Sequence, residues 1–500
     1  MELGVKISRR TALHLGAAAA LLPLFKHEGL ASTAFGGDPP CSAPITDTDL
    51  ALLEKALPGR VFLAPSTQYE DSSTNFNRRY QTRPIAVVRA ASAQDVIAVV
   101  QWARVRGVTV STRSGGHSYI GGCLGEGIVL DVSPLSSIAF QSKTNRVEVG
   151  AGTRLGPLYS SLYCDHGQRT LTSGTCLSIG ISGITLGGGY NSQSRLSGLT
   201  IDSLRSAEVV LADGSLVRAD ATRETDLFWA IRGGGPSFGV VTALEFETQP
   251  WQQFSTVTMT WPWGSSATAF SIWSAWIAGL SMSSTSTSSW ASSGTVASQR
   301  FRTTVRSLEG SASATALADE LERAVGVVAS RVSGVSTTPV CGDDGIATGA
   351  PSSNSSLFAD GSVTLAGANL IKTAIEARVG HPLIAQGDVA SILSHAFGGA
   401  LARIPSNATA FPHRNARMLT QLISGWSSSA STLRAQANIA WVTDLHTSLR
   451  PSFGNGCYFN YANDALTDWR TAYWGSNLAQ LERVKQQYDP NRFWRGKQFI

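Results

Sequence analysis

Residues 113–248 hold three glycine-rich stretches, and these limit the folds open to the chain more than any other feature. They read RSGGHSYIGG (113–122), TSGTCLSIGISGITLGGGYN (172–191) and DLFWAIRGGGPSFGVVTALEFET (226–248). A single such stretch marks a tight turn. Three close together suit a backbone wrapped around a large flat or anionic ligand, with free N–H groups cradling phosphate and bare Cα atoms letting a ring lie close. None matches GxGxxG followed by a helix and a ribose-binding acid, and none matches GxxxxGK[ST], which argues against the ordinary dinucleotide and P-loop folds. The first places His117 behind Gly115 and Gly116, and the second carries Cys176. Each loop therefore offers one nucleophile.

The chain of 500 residues is too long for one compact core, so two domains are expected. Its charged residues are few and its net charge of +5 is spread without Lys/Arg runs, which gives no case for nucleic-acid binding. Residues 6–25, KISRRTALHLGAAAALLPLF, join Arg9 and Arg10 to an alanine-rich apolar run too short to span a bilayer. We read residues 1–35 as a signal of the twin-arginine (Tat) type, which implies secretion with a cofactor already in place and no membrane attachment after signal removal. Six cysteines, at 41, 123, 164, 176, 341 and 457, form no CxxC pair or His/Cys cluster, so no metal site is expected. Some can pair outside the cell, in a connectivity the sequence does not give.

Beyond residue 46 the pattern mixes helices and strands. TDTDLALLEKAL (46–57) has a Thr/Asp start, and SAQDVIAVVQWARVRG (92–107) reads as a capped amphipathic helix stopped by glycine. VTVSTR (108–113) and GIVLDVS (127–133) read as strands around the first glycine loop, and 204–220 as a hairpin turning at Asp213-Gly214. Residues 264–300 change character, being rich in Ser, Thr and Trp. A cofactor domain over 46–250, a substrate domain over 251–456 and a segment 457–500 returning to the first domain are the expected organisation.

Three motifs together, R-S-G-G-H-S-Y, G-T-C-L-S-I-G-x-x-G-x-x-x-G-G-G and a terminal Y-x-N-Y, make the chain resemble the berberine bridge enzyme-like FAD-linked oxidases. That group includes glucooligosaccharide oxidases and bacterial tailoring oxidases such as aclacinomycin oxidoreductase. The likeness runs over 46–250 and again from 457, and is loose between. It implies an α+β fold: a two-subdomain FAD-binding domain of the vanillyl-alcohol-oxidase (PCMH) type, with an α+β substrate domain on an antiparallel sheet backed by helices. It also implies FAD attached twice, through His117 to the 8α-methyl carbon and through Cys176 to C6. A neutral imidazole can add to the electrophilic methyl carbon and a thiolate to the ring carbon. Arg113, Ser114, Gly115, Gly116 and Ser118 would lie along the cofactor, as would Gly187, Gly188, Gly189, Gly239, Val240 and Asn460.

For catalysis the resemblance points to Tyr458, the first tyrosine of YFNY. If 458–461 is a strand, Tyr458 and Asn460 share a face and Tyr461 turns away. A Tyr458 phenolate with a lowered pKa could take a substrate hydroxyl proton while hydride passes to flavin N5. Tyr119 is a candidate for the substrate side, and His395 for orienting Tyr458, because HAFGG (395–399) stands where oligosaccharide oxidases have an aspartate. His413, Tyr461 and Trp474 read as packing. The chain departs from the family at Ile184, where plant members often have histidine, and at Ile179, an oxygen-gating place that carries neither valine nor leucine. The partners expected are a small-molecule substrate and O₂. The first reading is oxidation of a natural-product alcohol to a ketone with release of H₂O₂. The alternative is an oligosaccharide or hexose oxidase that makes a lactone, with Trp261, Trp263, Trp273 and Trp276 as stacking faces. A non-catalytic carbohydrate-binding protein on the same fold is the remote third.

Overall fold

The computed structural model describes residues 44–336, 341 and 349–500, so the twin-arginine run and Cys41 lie outside the described residues. The first helix, Asp47–Ala56, starts at a capping box in which Thr46 and Asp49 satisfy each other's backbone N–H groups. Helix Ala93–Arg106 is capped by Ser92 and stopped by Gly107 in the left-handed conformation. Both match the sequence expectation, because caps are local signals.

Two sheets frame the glycine loops. In the first, Ala86–Arg89, Ile128–Asp131 and Val110–Arg113 run parallel in that order, with Val61–Phe62 antiparallel at the edge. The second is antiparallel, ordered Ile138–Gln141, Arg146–Gly150, Val240–Glu247, Leu204–Val210, Leu216–Asp220. Its last two strands are the expected hairpin, turning at Gly214 with φ +86°. The first glycine loop leaves the end of Val110–Arg113, and the third enters Val240–Glu247. Each loop is thus fixed by a strand whose side chains are largely buried.

A third sheet has seven antiparallel strands in the order Ser330–Val335, Ser255–Trp261, Arg300–Ser307, Ser284–Ser292, Val389–Ala396, Met418–Gly425, Ser352–Ala359. Helices Ser266–Trp276, Ser311–Val325, Leu365–Glu376 and Thr432–Phe453 pack on one side of it. Period-two alternation sends Val257, Met259 and Trp261 to that helix side, with Phe301 and Val305 beside them. Trp273 and Trp290 are fully buried in the same layer, where Trp290 packs on Phe301 with ring centroids 4.4 Å apart. The tryptophans expected as sugar-stacking faces are therefore packing: Trp261 and Trp273 are buried, and Trp263 and Trp276 are half-buried against the same core.

The C-terminal residues fasten to the third glycine stretch. Trp474 Nε1 donates to Gly233 O, the buried Lys485 ammonium donates to Ser237 O and Trp494 O, and the Ile500 amide reaches Ser237 Oγ. Cys164 and Cys341 form a disulfide, while Cys123, Cys176 and Cys457 are free thiols. Among the described residues no helix is long and apolar enough to cross a membrane, and no His/Cys/Asp/Glu group is arranged to hold a metal ion.

Candidate active site

His117 and Cys176 come together through a residue that the sequence did not single out. Ser178 Oγ lies 2.8 Å from His117 Nε2 and 3.5 Å from Cys176 Sγ, so one hydroxyl bridges both nucleophiles. The loops carrying them are in backbone contact: a Cβ on Gly115 would run into the Gly180 amide. That close approach is why glycine stands at 115. The imidazole stacks on Phe76 with centroids 4.2 Å apart. Burial, helped by the Arg113 and Arg154 charges, pushes its pKa down to about 4, so the ring is neutral and nucleophilic at ordinary pH.

Both residues line a cavity of about 320 Å³ bounded by all three glycine stretches, the C-terminal segment and the seven-stranded sheet. Ser114, Gly115, Gly116, Ser118, Gly239 and Asn460 line it as expected, and Ile179 and Ile184 are also on its wall. Six of the expected residues differ. Arg113 turns back into its own loop: it donates to Ser114 O and Thr74 O, and faces Asp131. Gly187, Gly188 and Gly189 lie behind the wall, where a Cβ would collide with Asn460 at 187 and with Thr200 at 189, and would press on Phe411 and Tyr458 at 188. Strand alternation turns Val240 into the core and leaves Val241 at the cavity. His395 lines the cavity but does not hydrogen-bond Tyr458, and neither of its ring nitrogens has a partner. It meets Tyr190 edge-on at 5.1 Å, and burial together with the Arg306 charge pushes its pKa down to about 3.

Tyr458 occupies the cavity wall as expected, on a different backbone. Residues Phe459–Tyr461 form a 3₁₀ turn rather than a strand. Tyr461 therefore does not turn away; its ring meets Tyr458 at 5.1 Å and Tyr119 at 5.9 Å, and it also lines the cavity. Two N–H groups converge on the Tyr458 oxygen, the Gly189 amide and Asn460 Nδ2, each at 2.9 Å. They favour the phenolate, but burial outweighs them, and the pKa rises well above the ordinary tyrosine range instead of falling. Gln421, also unanticipated, donates to the Tyr119 hydroxyl at 3.1 Å. Among the described residues no aspartate or glutamate lines the cavity, and its phenols and imidazoles are the candidate proton acceptors.

These residues fit a covalently held flavin. A neutral imidazole and a thiol are joined by one serine, and the glycine backbone between them leaves no room for side chains. His413 is structural: it stacks on Phe358 and bonds the Tyr473 carbonyl. A shallower depression lined by Arg403, Asn407 and Arg483 holds none of the expected residues.

Comparison with known proteins agrees with this geometry. Residues 84–220 match the FAD binding domain family, and residues 457–500 match the family of berberine and berberine-like proteins. An uncharacterised FAD-linked oxidoreductase of Bacillus subtilis is 29% identical over 89% of this chain and 97% of its own. A glucooligosaccharide oxidase of Sarocladium strictum is 29% identical over 85% and 89%. The crystal structure of an Acremonium strictum glucooligosaccharide oxidase superimposes with a TM-score of 0.77 at 25% identity, covering 90% of this chain and 97% of that one; that enzyme carries a 6-S-cysteinyl, 8α-N1-histidyl FAD.

Proposed function

The chain is a berberine bridge enzyme-like FAD-linked oxidoreductase, and from that premise we propose that it oxidises a carbinol carbon of a carbohydrate, with FAD held through His117 and Cys176 and with Tyr458 as the base. One observation carries this reading. A neutral imidazole, a thiol and a phenol oxygen that accepts two N–H bonds all meet at one cavity with no carboxylate in its lining among the described residues. FAD bound there supplies a two-electron acceptor, and O₂ receives the electrons and leaves as H₂O₂.

The protein's own residues manage the proton. Gly189 and Asn460 place their N–H groups where negative charge on the Tyr458 oxygen needs them, as donors do in an oxyanion hole. A substrate hydroxyl held against that oxygen passes its proton to the phenolate as its carbon is oxidised. Burial resists forming the phenolate, so activity should rise with pH. In this proposal residues 46–250 and 457–500 form the flavin half and 251–456 the substrate half. Export by the twin-arginine route belongs to the same reading, on the strength of Arg9-Arg10 before the alanine-rich run.

Two observations support a sugar. A relative that matches over most of both chains is a glucooligosaccharide oxidase, and the sheet side of the cavity presents the Gln421 amide. The natural-product reading is favoured by the aromatic side, where Tyr119, Tyr190 and Tyr461 line the same space. Peroxide detection over a panel of oligosaccharides and secondary alcohols tests the choice, and sugars are expected to give the signal. Tyr458→Phe should lose nearly all turnover and keep its flavin. Intact turnover in that variant would remove the base assignment.

A further inference from the structure

The open face of the seven-stranded sheet, next to the strand that brings His395 to the cavity, carries a positive charge that no carboxylate among the described residues pairs with. Alternation along Arg300–Ser307 buries Phe301, Thr303 and Val305 on the helix side and puts Arg302, Thr304 and Arg306 on the open face. From that face Arg306 Nη1 donates to Thr287 Oγ1 at 3.1 Å, and Thr287 pairs directly with His395 on the next strand. The Arg306 charge acts on both His395 and Tyr190. Arg306 is thus tied to two residues of the cavity wall.

Some arginines buried in this protein are met by carboxylates: Arg414 is bidentate to Asp202 at 2.8 Å on both oxygens, and Arg113 faces Asp131. Others have neutral partners only, as Arg378 has in Ser424 Oγ and Asn438 Oδ1. Arg306 is of the second kind, with fewer bonds. Among the described residues its side chain has one neutral partner, the Thr287 hydroxyl, and no ion pair. Burial alone lowers its pKa, as expected for a cation losing water without gaining an anion. Its remaining N–H donors are not sealed in the core and stay accessible. Arg195, whose charge also acts on Tyr190, deepens the imbalance: it is buried and, among the described residues, bonded only to the carbonyls of Ser284, Phe397 and Leu280. Among the described residues no group hydrogen-bonds the Tyr190 hydroxyl either, although its ring is fixed between His395 and Phe397. A neutral polyol would need hydroxyls and amides on this wall but no guanidinium. A half-desolvated guanidinium with free donors beside a free phenol is a receptor for a planar anion.

We propose that the substrate carries a carboxylate, and that Arg306, with the Tyr190 hydroxyl beside it, binds that group while Tyr458 serves the carbinol carbon. The inference rests on the carbohydrate reading above and narrows it: the sugar contains a uronic acid unit next to the one oxidised. Arg306 is then a specificity residue that takes no part in the chemistry.

The test pairs two disaccharides that differ in one group, cellobiose and cellobiouronic acid, whose non-reducing unit bears a carboxyl at C6. Peroxide-coupled kinetics on the flavin-loaded protein should give a kcat/KM for the acid about tenfold or more above that for cellobiose, the range expected of a charge-assisted hydrogen-bonded pair. Arg306→Gln should lower the acid-to-neutral ratio by about the same factor, through KM rather than kcat. Arg306→Lys, which keeps the charge, should retain part of the preference and shows that a loss in the glutamine variant is not misfolding. Binding supplies a readout independent of turnover. Methyl β-glucuronide and methyl β-glucoside, both blocked at C1, are titrated against the flavin spectrum, and only the glucuronide should weaken in Arg306→Gln. Equal use of the two disaccharides by the wild type, with a ratio unmoved by Arg306→Gln, overturns this inference and leaves the sugar-oxidase reading standing. If neither disaccharide gives peroxide while secondary alcohols do, the carbohydrate reading falls and takes this inference with it.

Discussion

Asn460→Ala probes the proposed base without touching its phenol. Asn460 Nδ2 donates to the Tyr458 oxygen at 2.9 Å, and the Gly189 amide donates to it at the same distance. Removing one donor from a developing oxyanion costs about 10²–10³ in kcat, or roughly 3 kcal/mol. The Gly189 amide remains, so the lower end of that range is expected. The lost donor stabilised the phenolate, and burial already holds the Tyr458 pKa high, so the variant needs a still higher pH to reach the reactive form. The assay is kcat against pH by peroxide release, normalised to bound flavin. It should show a deficit that is largest near neutrality and narrows in alkali. Asn460 also donates to Ile184 O, so damage to the wall is the competing explanation. Damage of that kind would lower kcat by the same factor at every pH or lower the flavin content. Either result, or an unchanged kcat, would refute the reasoning.

Two further outcomes are expected. Ser178→Ala removes the hydroxyl shared by His117 and Cys176 and should slow covalent flavin attachment about fivefold, the worth of a hydrogen bond of roughly 1 kcal/mol. Flavin fluorescence of denatured protein over time measures it, and attachment at the wild-type rate would count against the bridge. Burial holds His395 at about 3 and His413 and His446 at about 4, all below the ordinary 6.5. Between those limits the unfolded chain binds protons that the folded one refuses, so this part of the stability is full above 6.5 and is lost as the pH falls toward 4. Thermal melting should decline through that window, less steeply in a His413→Gln, His446→Gln double variant; equal slopes would sink the assignment.

What could be read from the sequence was carried by short-range chemistry. The capped helices and the Asp213-Gly214 hairpin announce themselves within a few residues, and the anchors His117 and Cys176 sit in loops whose glycines have few other uses. What could not be read depends on distant partners. Ser178 looks like loop filler until His117, 61 residues earlier, meets it. YFNY alternates like a strand, but the Tyr458 and Tyr461 rings pack together in a 3₁₀ turn, which reverses the expected facing. STSTSSWAS (284–292) has the composition of a linker and is a central strand. One of its hydroxyls is used by the core: Ser286 accepts from Trp273 Nε1 and donates to Thr304 O. The same fold turned the tryptophans into packing and left an arginine, Arg306, on the open face of the sheet.

Mass spectrometry of the denatured, proteolysed protein tests the central claim most directly. The account predicts one flavin linking the peptide that contains His117 to the peptide that contains Cys176, with Cys176→Ala leaving the flavin on His117 alone. Flavin that washes free on denaturation, or that is found on any other residue, would contradict it.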